Sequence, residues 1–198
     1  MNSPKITDLM LPADSHILPR LHTHLRSRNL PIPPGSTPAE LAQLRRDLTF
    51  TPPPELESWL TLCRGCEVQA PSIIHLLGTR ARHFDIAGAL LPEWIANRWI
   101  PIASDGCGQH YVLIADRAPA PVAFFESHAP QRPEYLVASS LMVFLDLAIQ
   151  EAEASPSLSL DEPECVDPVW FSRDKLLIAD PAAAAITDIP FAWQRDNE

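Results

Sequence analysis

Apolar positions recur at helical spacing through the first third of the chain and crowd into short dense runs through the middle. Within Ile17–Asn29 (ILPRLHTHLRSRN), Leu18, Leu21 and Leu25 share one helical face and predict a short helix. Arg20, His24 and Arg28 form its polar edge, read as solvated. Leu30–Gly35 (LPIPPG) breaks the pattern. Ser36-Thr-Pro-Ala-Glu40 then reads as a helix start. Thr37 is a capping residue, Pro38 occupies the first helical position and Glu40 the capping-box position. Leu41, Leu44 and Leu48 supply the buried stripe. Thr51-Pro-Pro-Pro54 ends that segment and opens another helix, with Leu56, Trp59, Leu60 and Cys63 on one face and Gly65 placed to stop it.

The pattern then shortens. Residues 66–82 are ambiguous apart from Ile73–Leu77 (IIHLL), a strand candidate. Asp85–Asn97 reads as helix or helical turns broken near Pro92. Three strand candidates follow: Trp99–Ala103, His110–Ala115 and Pro121–Phe125. In the second, Tyr111, Leu113 and Ala115 face one way, and Val112 and Ile114 the other. Both faces are apolar, so this strand belongs inside a sheet covered on both sides. Pro119 and Pro121 confine the start of the third to an edge or a turn. Val137–Ala154 is the clearest helix, capped by Ser139 or Ser140. Leu141, Phe144, Leu145 and Ala148 bury one stripe, and Asp146, Gln150 and Glu151 point outward. Ser155–Pro168 reads as a Pro-, Ser- and acid-rich linker, and Val169–Asp180 as a strand pair or a strapped segment. The chain thus divides into a tail and short helix (1–35), a domain (36–154) and an extension (155–198).

Composition narrows the function. The chain has 198 residues, 22 of them proline, and a formal net charge of −10. An acidic chain is a poor nucleic-acid binder, because that affinity comes from Lys and Arg on phosphates. It suits a basic partner or plain solubility. No apolar run approaches the ~18 residues of a membrane-spanning helix, and no signal peptide is recognisable at the start. Four cysteines are too few for a disulfide scaffold. A cytoplasmic location follows as the default.

Candidate chemistry is sparse. Ser104–Gly108 (SDGCG) sits between two apolar runs and reads as a hairpin turn, with positive φ supplied by Gly106 and Gly108 and a side-chain bond by Asp105. The competing reading is a reactive loop, with Cys107 activated by His110. Cys63-Arg-Gly-Cys66 is a CxxC at a helix C-terminus, where the dipole opposes thiolate formation. A zinc site would need two further ligands; Cys107 and Cys165 lie far off in sequence. His22 and His24 project to different sides of a helix. His75, His83 and His128 show no ligand spacing. Asp116, Glu126, Asp161, Glu162 and Glu164 make a set only if the fold gathers them. Trp59, Trp94 and Trp99 fit core patterns, whereas Trp170 and Trp193 in the extension are docking anchors or packing residues. The expectation is no metal, no cofactor and no catalytic set.

One resemblance spans these segments. W-I-P-I-A-S-D-G-C-G-Q-H-Y-V-L-I, then P-V-A-F-F, then V-A-S-S-L-M-V-F-L-D-L resembles the SMI1/KNR4 family, also called the SUKH superfamily. Upstream, E-L-A-Q-L-R-R-D-L-T-F-T-P-P-P-E-L-E-S-W-L-T-L-C-R-G resembles the family's opening. Arg64-Gly65 replaces the usual Asn-Gly there, and Pro-Pro-Pro replaces Leu-Pro. The match covers about residues 36–150. It implies an α+β fold with N-terminal helices, a mostly antiparallel sheet and a closing helix, in agreement with the segment order above. It also implies function by protein binding without a shared catalytic set. Bacterial members look like immunity proteins that neutralise toxins, and fungal members are regulators of cell-wall synthesis.

Three functions follow as expectations: an immunity protein that binds a basic toxin, a regulatory adaptor for a cellular protein, or a Cys/His metal protein or enzyme. For the binding readings, the loops at the strand ends offer Asp105, Asp116, Glu126 and His128 as partner-binding residues.

Overall fold

In a computed structural model of the chain, residues 14–69, 73–79, 85–154 and 168–197 are described. Three helices lead: α1 (Asp14–Ser27), α2 (Pro38–Leu48) and α3 (Pro54–Leu62). The start of α2 is the predicted capping box. Thr37 Oγ1 accepts from the Glu40 backbone N–H, and Glu40 Oε2 accepts from the Thr37 N–H at 2.6 Å. These bonds, the backbone one first, hold the Glu40 carboxyl below its ordinary range. Leu44 and Leu48 are buried, and Leu41 packs half-buried beside them. On α1 the inward face is Ile17, Leu21 and Leu25. His24, expected on a solvated edge, is buried instead, because α1 lies against another helix rather than on the surface.

Six strands follow, β1 (Cys66–Gln69), β2 (Ile73–Leu76), β3 (Trp99–Ser104), β4 (His110–Ile114), β5 (Val122–Phe125) and β6 (Tyr135–Ala138), with α4 (Ile86–Ala89) and α5 (Pro92–Ala96) between β2 and β3. They form one antiparallel sheet in sequence order, so every strand pairs with its chain neighbour. Two of these strands correct the sequence reading. β1 lies in the stretch that reads as ambiguous. β6 takes Val137 and Ala138, which were expected to begin a helix. The helix, α6 (Leu141–Ala154), starts three residues after β6, and its first turn is met by Ser140, whose Oγ accepts from the Val143 N–H. Local apolar spacing does not separate a buried strand from the buried helix that follows it.

β4 lies near the middle, with Tyr111 and Leu113 in one apolar cluster and Val112 and Ile114 in another. The first cluster joins the sheet to α1, α2, α3 and α6. Its centre is aromatic: the Tyr111 ring meets Phe144 at 5.2 Å, Phe124 at 5.3 Å and Trp170 at 5.8 Å. Burial pushes the Tyr111 phenol well above its ordinary pKa. The second cluster places Trp94 of α5 against Val112, Ile114, Ala123, Phe125 and Leu136.

The extension completes both clusters. Val169–Phe171 is a 3-10 turn, α7 spans Arg173–Ala179, and 3-10 turns follow at Pro181–Ala185 and Ala192–Asn197. The segment is helical where a strand pair was one of two readings. Trp170 and Leu176 are buried on the α6 side of the sheet, and Ala183 and Ile189 on the other. The chain therefore passes around the β6 edge, where the Leu136 N–H donates to the Pro190 carbonyl at 2.7 Å. Two buried carboxylates fasten it. Glu151, expected to point outward from α6, accepts from the Val169 N–H at 2.8 Å. Asp180 accepts from both the Ser139 N–H and the Ser139 hydroxyl, at 2.6 and 2.7 Å. On the far side of α6, Arg20 of α1 bridges Asp146 and Glu153.

Phe144 is fully buried, so Phe144→Ala should lower unfolding free energy by about 3–5 kcal/mol in a urea titration. Asp180→Ala should cost about 2–3 kcal/mol, because it leaves two buried Ser139 donors unpaired. Limited proteolysis should then cut within residues 168–197 faster than in the parent chain.

Candidate partner-binding surface

The β3–β4 connection is a turn built around one carboxylate. Asp105 Oδ1 accepts from the backbone N–H groups of Cys107 and Gln109 at 2.8 and 3.1 Å, and Gly106 and Gly108 take φ of 78° and 96°. Those are the left-handed values that favour glycine. A Cβ on Gly106 would also come within 3.3 Å of the His75 ring. Cys107 is exposed at the tip. His110 turns to the second apolar cluster, edge-on to Trp94 at 5.3 Å. The hairpin reading therefore holds, and His110 serves packing.

Strand register decides which charged residues meet. Glu67 pairs with His75, His75 with Ser104, Ser104 with His110, and His110 with Phe125. On the side of the Asp105 turn this cross-strand row ends β3, β4 and β5, whereas β1 and β2 run on past it through Val68–Gln69 and Ile73–Ile74. Glu126 and His128 follow directly after Phe125, so they emerge at the same end. His128 Nε2 lies 2.8 Å from Glu126 Oε2, and His75 Nε2 lies 4.0 Å from Glu67 Oε2. His128 is largely exposed, and the Glu126 side chain keeps 18% of its surface.

Asp116 is not brought to this end. It follows the far terminus of β4, a strand length or on the order of 15 Å away. There it lies 3.7 Å from Arg117, which is also bonded to Asp188 of the extension at 2.9 Å. Of the four residues singled out in the sequence, the fold thus gathers Asp105, Glu126 and His128 and separates Asp116. Glu67 and His75 lie in the same cross-strand row, unforeseen. Glu67 falls in the stretch that reads as ambiguous and His75 inside the Ile73–Leu77 strand candidate, and only strand register sets them beside each other.

The remaining candidates fall elsewhere. His83, Asp161, Glu162, Glu164 and Cys165 lie outside the described residues. Among the described residues, no three His, Cys, Asp or Glu side chains converge as metal ligands, and no helix is long and apolar enough to cross a membrane. Trp59 and Trp94 are core residues, as read from the pattern, and Trp170 is buried packing rather than an exposed anchor. Trp193 stacks on Phe191 at 4.5 Å. A cleft of about 800 Å³ between the β5–β6 loop and the extension is lined by Arg132, Pro133, Glu134, Thr187, Asp188, Pro190 and Gln194. It contains no histidine or cysteine.

Burial holds the pKa of His110 below the ordinary imidazole value, and burial followed by the Arg28 charge does the same for His24. The unfolded chain then binds these protons more readily than the folded one. Their stabilising neutral state is complete above about pH 6.5 and is lost as pH falls through that value toward the folded pKa. Urea midpoints should drop between pH 8 and pH 5, and His110→Phe, which keeps a ring against Trp94, should make the drop shallower.

No curated protein matches the chain. The model of the SMI1 / KNR4 family (SUKH-1) matches residues 35–147, from the connector before α2 to the middle of α6. The match covers more than half of the sequence and includes the whole sheet. The antiparallel meander between N-terminal helices and α6 agrees with the architecture expected from the motifs. The chain belongs to the SMI1/KNR4 family.

Proposed function

We propose that this protein is a bacterial, cytoplasmic immunity protein that neutralises a toxin by binding it, without catalysis. Family membership supports the general reading, since members of this family act by binding proteins. The observation that carries the specific reading is the gathering of Asp105, Glu126 and His128 at the turn end of β3–β5, with Glu67 and His75 in the cross-strand row that ends there, in a chain of net charge −10. A basic surface on the toxin meets that end. Complementary charge of this kind accelerates encounter and is screened by salt. Asp116, beside Arg117 at the opposite end, stands outside the first contact.

Co-expression with the product of the neighbouring gene tests the function: cells should survive and the two proteins should co-purify. Continued killing, or no complex, overturns the reading. The surface is tested separately. Asp105→Asn retains an amide oxygen for the turn, so a combined Asp105→Asn, Glu126→Gln, Glu67→Gln variant should fold. It should associate about tenfold more slowly at low salt, and Asp116→Asn should associate at the parent rate. Equal rates for all three proteins would exclude this end of the sheet as the interface.

A further inference from the structure

We propose that Cys63 and Cys66 are a dithiol pair that closes reversibly to an intramolecular disulfide. The proposal is independent of the identity of the partner. The two sulfurs lie 3.9 Å apart, and both residues are buried. Chain geometry makes them neighbours. The Cys63 N–H donates to the Trp59 carbonyl and ends α3, and Cys63 itself is extended. Gly65 then takes φ of 109°, and Cys66 opens β1 opposite Leu76. The chain reverses within two residues.

That corner is clamped from both sides. The Arg64 N–H donates to the Pro34 carbonyl at 3.1 Å, and its guanidinium lies 3.3 Å from Glu40. A Cβ on Gly78 would fall 2.3 Å from the Arg64 carbonyl carbon, and one on Gly35 would fall 1.8 Å from the Thr61 oxygen. With the backbone packed so closely, the sulfurs are kept within reach of one another. Side-chain rotation and a small local shift close the gap to the ~2.05 Å of a disulfide. The neighbouring Cys66 sulfur holds the Cys63 thiol below its ordinary pKa, against the opposing effect of burial, and the Gly65 N–H adds to it. With no third ligand converging among the described residues, the pair is suited to sulfur–sulfur chemistry.

The oxidant is a peroxide, small enough to reach a buried sulfur. The Cys63 thiolate attacks one peroxide oxygen, the O–O bond breaks, hydroxide leaves and a sulfenic acid forms. Cys66 then attacks the Cys63 sulfur, forming the S–S bond and expelling the hydroxyl group. Two thiols and one hydrogen peroxide give one disulfide and two waters. A dithiol reductant reverses the change.

The test uses the full folded chain carrying Cys107→Ser and Cys165→Ser, so that only the pair can react. After equimolar hydrogen peroxide, alkylation in denaturant should find no free thiol, and a non-reducing peptide map should find Cys63 joined to Cys66. Dithiothreitol should restore both thiols. In the further variant Cys66→Ser, Cys63 should be trapped as a sulfenic acid by dimedone. Two thiols still alkylatable after peroxide would overturn the proposal, as would thiols lost to peroxide that dithiothreitol does not return. Should the doubly substituted chain not fold, the same peptide map of the unsubstituted chain gives the same decision.

Discussion

β4 carries Tyr111 and Leu113 on one face and Val112 and Ile114 on the other, and all four are buried. An antiparallel strand commonly leaves one face to water; this one does not, so the chain must cover both. Burying a large apolar side chain is worth about 1.5–3 kcal/mol, and the demand spreads along β5 and β6, whose residues are buried throughout. The α1, α2, α3 and α6 helices cover one face. The second face requires Trp94 from α5 and Ala183 and Ile189 from the extension. The family match ends at residue 147, yet the second core is completed by residues well beyond it.

The extension is positioned by polar bonds that have few alternatives. Glu151 and Asp180 are both buried carboxylates, and burying such a group is costly without hydrogen bonds. Each accepts from backbone across the contact: Glu151 from Val169 at the start of the segment, Asp180 from Ser139 between β6 and α6. The Pro190 carbonyl then takes the Leu136 N–H, which an edge strand would otherwise expose. Apolar burial supplies the attraction, and these bonds fix where along the edge the segment lies.

The sequence displayed those parts whose physics is local. The capping box of α2, the hairpin at Asp105 and the two-faced pattern of β4 each depend on residues within a few positions of one another, and each stands as read. The misplaced elements depend on distant partners. Val137 and Ala138 are apolar in a way that suits either a helix or a strand, and pairing with β5 decides for the strand. His24 reads as polar edge until α6 lies against α1. Glu151 reads as exposed until the backbone of Val169 arrives. The candidate surface shows the same limit: Asp105, Glu126 and His128 lie near strand ends that sequence can locate. Which end each occupies, and the arrival of Glu67 and His75, follow only from register.

Besides the charged outer surfaces of the helices, charge projects from the two ends of the sheet, and the ends are unlike. At the Asp116 end, Arg117 lies between Asp116 and Asp188 and balances acid with a permanent cation. At the Asp105 end, the carboxylates of Glu126 and Glu67 face His128 and His75, which offset their charge only when protonated. The Asp105 turn, held by its own backbone bonds, presents its carboxylate without first having to order a loop.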